Sequence, residues 1–187
     1  RLGVHKSSIS RTVAIDYSSP NVAKEMHVGH LRSTVIGDSL TRILQHLGHK
    51  VIRENHIGDW GTPFGMLIEH LLDLGEGDAG NELSVGDLDG FYKTARTKFD
   101  DDSAFADRSR SRVVLLQSGD KETLRLWQVL VDESTRYFNE VYQLLGVLLV
   151  DDDLMGESAY HHLLPNVVEH LDKKGLLKNS DGADVVF

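Results

Sequence analysis

The sequence predicts an α/β chain, with a parallel β–α–β unit at its start and a mainly helical region after it. Three observations carry this. Two short, partly β-branched apolar runs, residues 12–17 and 50–55, bracket a long stretch of helical periodicity. A strand-breaking Ser18-Ser19-Pro20-Asn21 separates the first run from that helix. From Met66 onward, amphipathic segments with helical spacing dominate.

Taken in order, residues 1–11 are polar, with Ser7, Ser8 and Ser10, and read as a linker. Residues 12–17 read as a buried strand. The helix starts within residues 27–31, and Leu31, Val35, Leu40, Ile43, Leu44 and Leu47 recur at helical spacing along it. Gly48 stands where a helix ends. Residues 50–55 form the second strand, and a strand–helix–strand unit of this length is right-handed with parallel strands. Residues 58–61, Gly-Asp-Trp-Gly, form the loop at its end.

Residues 66–74 continue as a helix, and residues 75–90, rich in Gly, Asp and Asn, read as a loop. Helices follow over 91–99, 104–117 and 121–145. The last carries Leu124, Trp127, Val131, Phe138, Val141 and Leu145 as one packing stripe, and Gly146 ends it. Residues 157–174 are helical but interrupted at Pro165, which suits the first residue of a fresh helix. Gly175 stops that segment, and residues 176–187 read as a hairpin. The domain boundary falls near Met66, giving 1–65 and 66–187.

The net charge of −9 argues against loose electrostatic binding of nucleic acid, which needs a basic face. With no cysteine, disulfides and cysteine-based metal sites are excluded. No apolar run approaches the roughly 20 residues that span a membrane, and no signal segment opens the chain. These features fit a cytoplasmic protein, expected as a monomer. The chain begins at Arg1 and ends on the apolar Val185-Val186-Phe187, an unfinished strand by its texture, so both ends read as cut from something longer.

Chemistry is expected in residues 18–30. Ligands of a parallel sheet bind beyond the C-terminal ends of its strands, and the N–H groups opening a helix form an anion site. The loop has neither a Gly-Lys-Ser/Thr nor a Gly-x-Gly-x-x-Gly cradle, so other groups must contact phosphate. His27 and His30, at i and i+3, share one face of a helical turn and can donate to oxygens gaining charge. Gly29 removes a side chain so that a flat base can pack there, and Lys24 adds positive charge. Taken alone, the same pair also fits two capping or surface histidines. As a zinc pair it lacks a third ligand. Asp100-Asp101-Asp102 and Asp151-Asp152-Asp153 lack the spacing of a calcium loop and read as solvated loops, and His161, His162 and His170 read as exposed.

Residues 16–34, DYSSPNVAKEMHVGHLRST, resemble the first signature of class I aminoacyl-tRNA synthetases, and more narrowly that of the arginyl-tRNA synthetases. Residues 55–62, NHIGDWGT, and 64–68, FGMLI, are similar to that family's second block. The resemblance continues weakly through Phe91-Tyr92-Lys93, residues 115–120 and Gly156-Glu157-Ser158, and so covers nearly the whole chain from Val13. It implies the first half of a Rossmann-type nucleotide-binding domain followed by a helical connective-peptide insertion. It implies an enzyme that joins L-arginine to ATP and passes the arginyl group to tRNA(Arg), with Mg2+ accompanying ATP and no metal site on the protein.

By that resemblance His27 and His30 stabilise the transition state at the α-phosphate. Asp16, Ser19, Pro20, Asn21 and His30 hold the substrate arginine, since a carboxylate pairs with a guanidinium through a fork of hydrogen bonds. Lys24, Gly29, Gly58, Asp59 and Trp60 complete the ATP side, the last two as a wall of the pocket. Pro63 departs from the family, many of whose members carry Gln there. The family's Lys-Met-Ser-Lys-Ser-type loop, the second nucleotide-binding half, the anticodon-binding domain and the N-terminal domain do not occur in these 187 residues. Little or no aminoacylation is therefore expected from the isolated chain. Two alternatives stay open: a non-catalytic, synthetase-like binding module, and another His-x-Gly-His adenylyl-transferring enzyme.

Overall fold

A computed structural model describes residues 3–75, 88–180 and 182–187. The chain divides into two compact units, Arg1–Gly156 and Glu157–Phe187.

The first unit opens with the expected β–α–β arrangement. β1 (Thr12–Asp16) pairs in parallel with β2 (Lys50–Glu54), from Thr12 opposite Lys50 to Asp16 opposite Glu54. Between them runs α1 (Val28–His46), which stops at Gly48 with φ 90°. The strands are less covered than the sequence predicts. β1 alternates exposed and half-buried residues, because no third strand joins this sheet among the described residues. The linker segment is tied down, with the Ser7 N–H donating to the Leu47 carbonyl and the Ser10 hydroxyl to that of Gly48.

α1 is turned relative to its apolar stripe. Its buried residues are Thr34, Gly37, Asp38 and Thr41, whereas Val35, Ile36, Leu40 and Ile43 are about half exposed. The polar face is held inward by specific bonds. Asp38 pairs with Arg42 at 2.6 Å and accepts the Leu148 N–H at 2.7 Å, while Arg42 donates to the Gly146 carbonyl.

The helical layer starts with α2 (Pro63–Leu74), three residues ahead of expectation, since Pro63 at the first turn costs no hydrogen bond. Eight consecutive residues from Phe64 to Leu71 are buried, so this helix has no solvent face there. It packs chiefly on α4 (Ser103–Ser118) and also on α3 (Leu88–Asp101) and α5 (Lys121–Leu145). Of the loop expected at 75–90, residues 76–87 lie outside the described residues. Leu88, Asp89 and Gly90 belong to α3 instead, because Leu88 is buried in the core as its first helical residue.

α5 has the expected bounds, capped by Asp120 and ended by Gly146 at φ 64°. Its buried stripe is Thr123, Leu126, Leu130, Ser134, Phe138 and Tyr142. Leu124, Trp127 and Val131 pack at the margin and Leu145 is exposed, so only Phe138 of the expected stripe is fully inside. Two serine and threonine hydroxyls replace apolar groups on the inner face because they bond to the segments packed there. The Asp151-Asp152-Asp153 run is a 3-10 turn and not simply a solvated loop. Asp153 lies 2.9 Å from the Arg53 guanidinium of β2 and accepts the Val150 N–H. Of the other acidic run, Asp102 caps α4 and Asp100 pairs with Arg96.

The second unit comprises a 3-10 segment (Glu157–Leu163), α6 (Leu164–Lys173) and a hairpin of β3 (Lys178–Ser180) and β4 (Ala183–Val185). Pro165 is the second residue of α6, one later than its fixed φ predicts. Among the described residues no helix is long and apolar enough to cross a membrane.

Candidate functional site

The chain leaves β1 at Asp16 and reaches α1 through residues 17–27, a loop with three non-glycine residues at positive φ: Ser18 (76°), Ser19 (51°) and Ala23 (58°). Each such residue costs about 1–3 kcal/mol and persists only where its surroundings fix it. The fixing groups are visible. The Ser18 hydroxyl lies 2.7 Å from the Tyr142 hydroxyl of α5, which accepts from Asn55 Nδ2 at 3.0 Å. Asn55 Oδ1 accepts the Ser19 N–H at 3.0 Å. The Ala23 N–H donates to the Ser134 hydroxyl at 2.9 Å, and that hydroxyl donates to the Leu130 carbonyl. Ser18, Asn55, Ser134 and Tyr142 are all buried, and burial raises the Tyr142 phenol against the pull of its two partners, so it stays protonated.

The predicted arginine-side residues cluster at the strand ends. Asp16 Oδ1 accepts the Ser19 hydroxyl at 3.0 Å and the His56 N–H at 3.4 Å, and its carboxylate remains exposed. Pro20 and Val22 bracket Gly58 in a short parallel bridge, with the Gly58 N–H donating to the Pro20 carbonyl and the Val22 N–H to the Gly58 carbonyl. Any Cβ on Gly58 would collide with the Asn21 side-chain oxygen, so this glycine is what lets Asn21 lie on the backbone after β2.

At the helix start, His27 is the N-cap. His27 Nδ1 accepts the Gly29 N–H at 3.1 Å, and His30 Nδ1 accepts the His27 N–H at 3.2 Å. The capping alternative read from the sequence is therefore realised, and it has a chemical consequence. A ring nitrogen that accepts cannot carry the proton, so both neutral rings hold it on Nε2. The rings lie 3.9 Å apart, tilted by 31°. Desolvation, then the neighbouring His27, lowers the His30 pKa and favours that neutral form. Gly29 fits beneath the pair, because a Cβ there would press on the His27 ring.

The remaining predicted residues are placed as follows. The Lys24 ammonium sits 4.3 Å over the Tyr92 ring of α3, a cation–π contact. Asp59 is buried, and its carbonyl accepts Trp127 Nε1 at 2.6 Å. Trp60 meets Trp127 edge to face at 5.6 Å. The loop after β2 is thus fastened to α5 as well. Tyr142, Ser134, Asn55 and Trp127 escaped sequence reasoning as loop partners. Asn55 stood inside a quoted motif, but the others are single side chains on a helix whose spacing signals only packing. Among the described residues no group of three or more His, Asp or Glu could hold a metal ion.

Residues 1–187 match the family of tRNA synthetases class I (R), catalytic domain. The chain is 61% identical over 178 residues to the arginine--tRNA ligase of Thermobifida fusca, covering 95% of this chain and 31% of that protein. It is 54% identical over 182 residues to the enzyme of the same name from Pseudoalteromonas atlantica, covering 97% and 32%. The crystal structure of arginyl-tRNA synthetase from Plasmodium falciparum superposes with a TM-score of 0.76 at 34% identity, over 94% of this chain and 29% of that one. The Thermus thermophilus arginyl-tRNA synthetase, at 22% identity and a TM-score of 0.58, shares the fold. The chain spans about a third of the length of the curated relatives it matches. It belongs to the class I (R) tRNA synthetases, through their catalytic domain.

Proposed function

We propose that this chain carries the ATP- and arginine-facing part of an arginine--tRNA ligase. In the whole protein the arginine carboxylate attacks the α-phosphorus of ATP and pyrophosphate leaves. A terminal hydroxyl of tRNA(Arg) then takes the arginyl group and releases AMP. The observation that carries this reading is the reciprocal capping of His27 and His30, which puts both imidazole protons on Nε2 at the N-terminus of a 19-residue helix. Two Nε2–H donors side by side at a helix N-terminus suit a phosphorus centre whose oxygens gain charge as the bond to carboxylate forms. Asp16, with its exposed carboxylate, suits the guanidinium end of arginine, and Ser19, Pro20 and Asn21 shape the same loop. Gly58, Asp59 and Trp60 form the facing wall, and Gly29, whose missing Cβ makes way for the His27 ring, stands on the ATP side.

Residues 1–65 are, in this reading, the first half of a Rossmann-type domain, and the helices from Met66 onward are an insertion into it. Mg2+ would arrive with the ATP phosphates. The sequence contains no Lys-Met-Ser-Lys-Ser-type loop, so binding without turnover is expected from these residues alone. Isothermal titration of the purified chain with ATP and L-arginine, singly and together, tests this. Binding lost in His27→Ala and His30→Ala supports the reading, and absence of both ligands from the wild-type chain refutes it. Arginine-dependent charging of tRNA by the chain would overturn the expectation of inactivity.

A further inference from the structure

We propose that Tyr142 and Ser134 of α5 are positioning residues that set the backbone of the substrate loop, although neither belongs to the nucleotide-binding part in sequence. This rests on the reading of residues 18–30 as the ATP and arginine loop. The loop enters the left-handed backbone region twice between β1 and α1. The first place, at Ser18 and Ser19, lies between Asp16 and the Pro20-Asn21 pair. The second, at Ala23, lies just before Lys24. Neither uses glycine, so sequence propensity does not hold them.

All three residues are held from α5, directly or through one intermediary. Tyr142 reaches Ser18 directly and reaches the Ser19 N–H through Asn55, whose amide it orients by accepting from Nδ2. Ser134, two helical turns earlier on the same face, reaches the Ala23 N–H. The hydroxyl of Tyr142 is buried and both its partners are buried, so its bonds are not replaced by water when it is removed. Its ring packs in the core regardless of the hydroxyl. Tyr142→Phe therefore removes the hold and keeps the packing.

The test uses the 187-residue chain. Tyr142→Phe, Ser134→Ala and Arg112→Gln are compared with wild type by thermal unfolding, by amide exchange of residues 18–23, and by titration with ATP and with L-arginine. Arg112 pairs with Glu69 between α2 and α4 and bonds Thr123 at the start of α5, away from Ser134 and Tyr142 in sequence, so it serves as a destabilised control. Amide exchange at Ser19 and Ala23 is expected to accelerate in the α5 variants, with at least tenfold weaker ligand binding. The control is expected to lose thermal stability with unchanged affinity. Combining Ser18→Ala with Tyr142→Phe is expected to weaken binding no more than Tyr142→Phe alone, since the Ser18 bond is one of the two that the tyrosine change cuts.

Unchanged affinity in both α5 variants, or an equal loss in the control, overturns the proposal. Should the wild-type chain bind neither ligand, the functional reading fails separately, and amide exchange decides for positioning. Acceleration confined to residues 18–23 upholds it, and unchanged exchange overturns it.

Discussion

Glu69 of α2 accepts from Arg112 of α4 at 2.7 Å, and the two side chains retain only 8% and 18% of their exposure. Arg108 reaches the second carboxylate oxygen at 3.2 Å and Asp73 at 2.9 Å, so one carboxylate anchors two guanidinium groups between packed helices. Removing it leaves Arg112 largely out of water and without its main charge partner. Glu69→Ala is expected to cost about 3 kcal/mol, as breaking a buried pair from one side does. Urea unfolding measures it, and a loss below about 1 kcal/mol would contradict the assignment.

The N-terminus of α1 should respond to pH through His30. Its pKa is lowered from the ordinary 6.5, first by desolvation and then by His27. In the window between the lowered value and 6.5 the unfolded chain binds more protons than the folded one. Stability contributed by neutral His30 is therefore present above 6.5, declines as pH falls through that window, and is gone below the folded pKa. Urea midpoints across this range are expected to fall less in His30→Asn than in wild type. Identical pH profiles for the two would count against it.

The rotation of α1 predicts opposite outcomes for neighbouring positions. Leu40 and Ile43 are about half exposed, whereas Thr41 is fully buried. Leu40→Ser and Ile43→Ser are expected to change stability by about 0.5 kcal/mol or less. Thr41→Leu, which adds volume to a closed face, is expected to cost about 1–3 kcal/mol. Thermal and urea unfolding of the three variants decide the orientation.

Phe138 is the aromatic centre of the α5 face, 1% exposed. Phe138→Ala is expected to lose about 3–5 kcal/mol, enough to unfold a marginally stable chain. Circular dichroism on heating reports this directly.

Gly58→Ala isolates the loop bridge. The added Cβ meets the Asn21 side chain, and that side chain must leave the Gly58 backbone. The expected result is weaker arginine binding by titration together with a displaced Asn21 amide signal. An unmoved Asn21 signal would refute the close approach.

Much of this was legible because it is local. Pro20 and Gly48 punctuate the β–α–β unit, and Gly146 ends α5, each through a backbone requirement that one residue meets. The pairing of His27 with His30 at the start of α1 was legible in their i, i+3 spacing. The inward face of α1 was not legible. Periodicity locates the apolar stripe formed by Val35, Leu40 and Ile43, but not the side on which the rest of the chain lies, and Thr34, Asp38 and Thr41 face that side. The bonds from Tyr142 to Ser18 and from Ser134 to Ala23 were equally silent. A hydroxyl pair separated by 124 positions leaves no local pattern.

That separation also orders events in time. Residues 16–30 leave the ribosome before the groups that fix Ser18 and Ala23, which are synthesised 124 and 111 positions later. At about 5–20 residues per second, roughly 6–25 s of translation pass between Ser18 and Tyr142. Until then the loop emerges without the bonds that hold its shape, so a nascent chain can carry both histidines while Ser18, Ser19 and Ala23 are still unfixed.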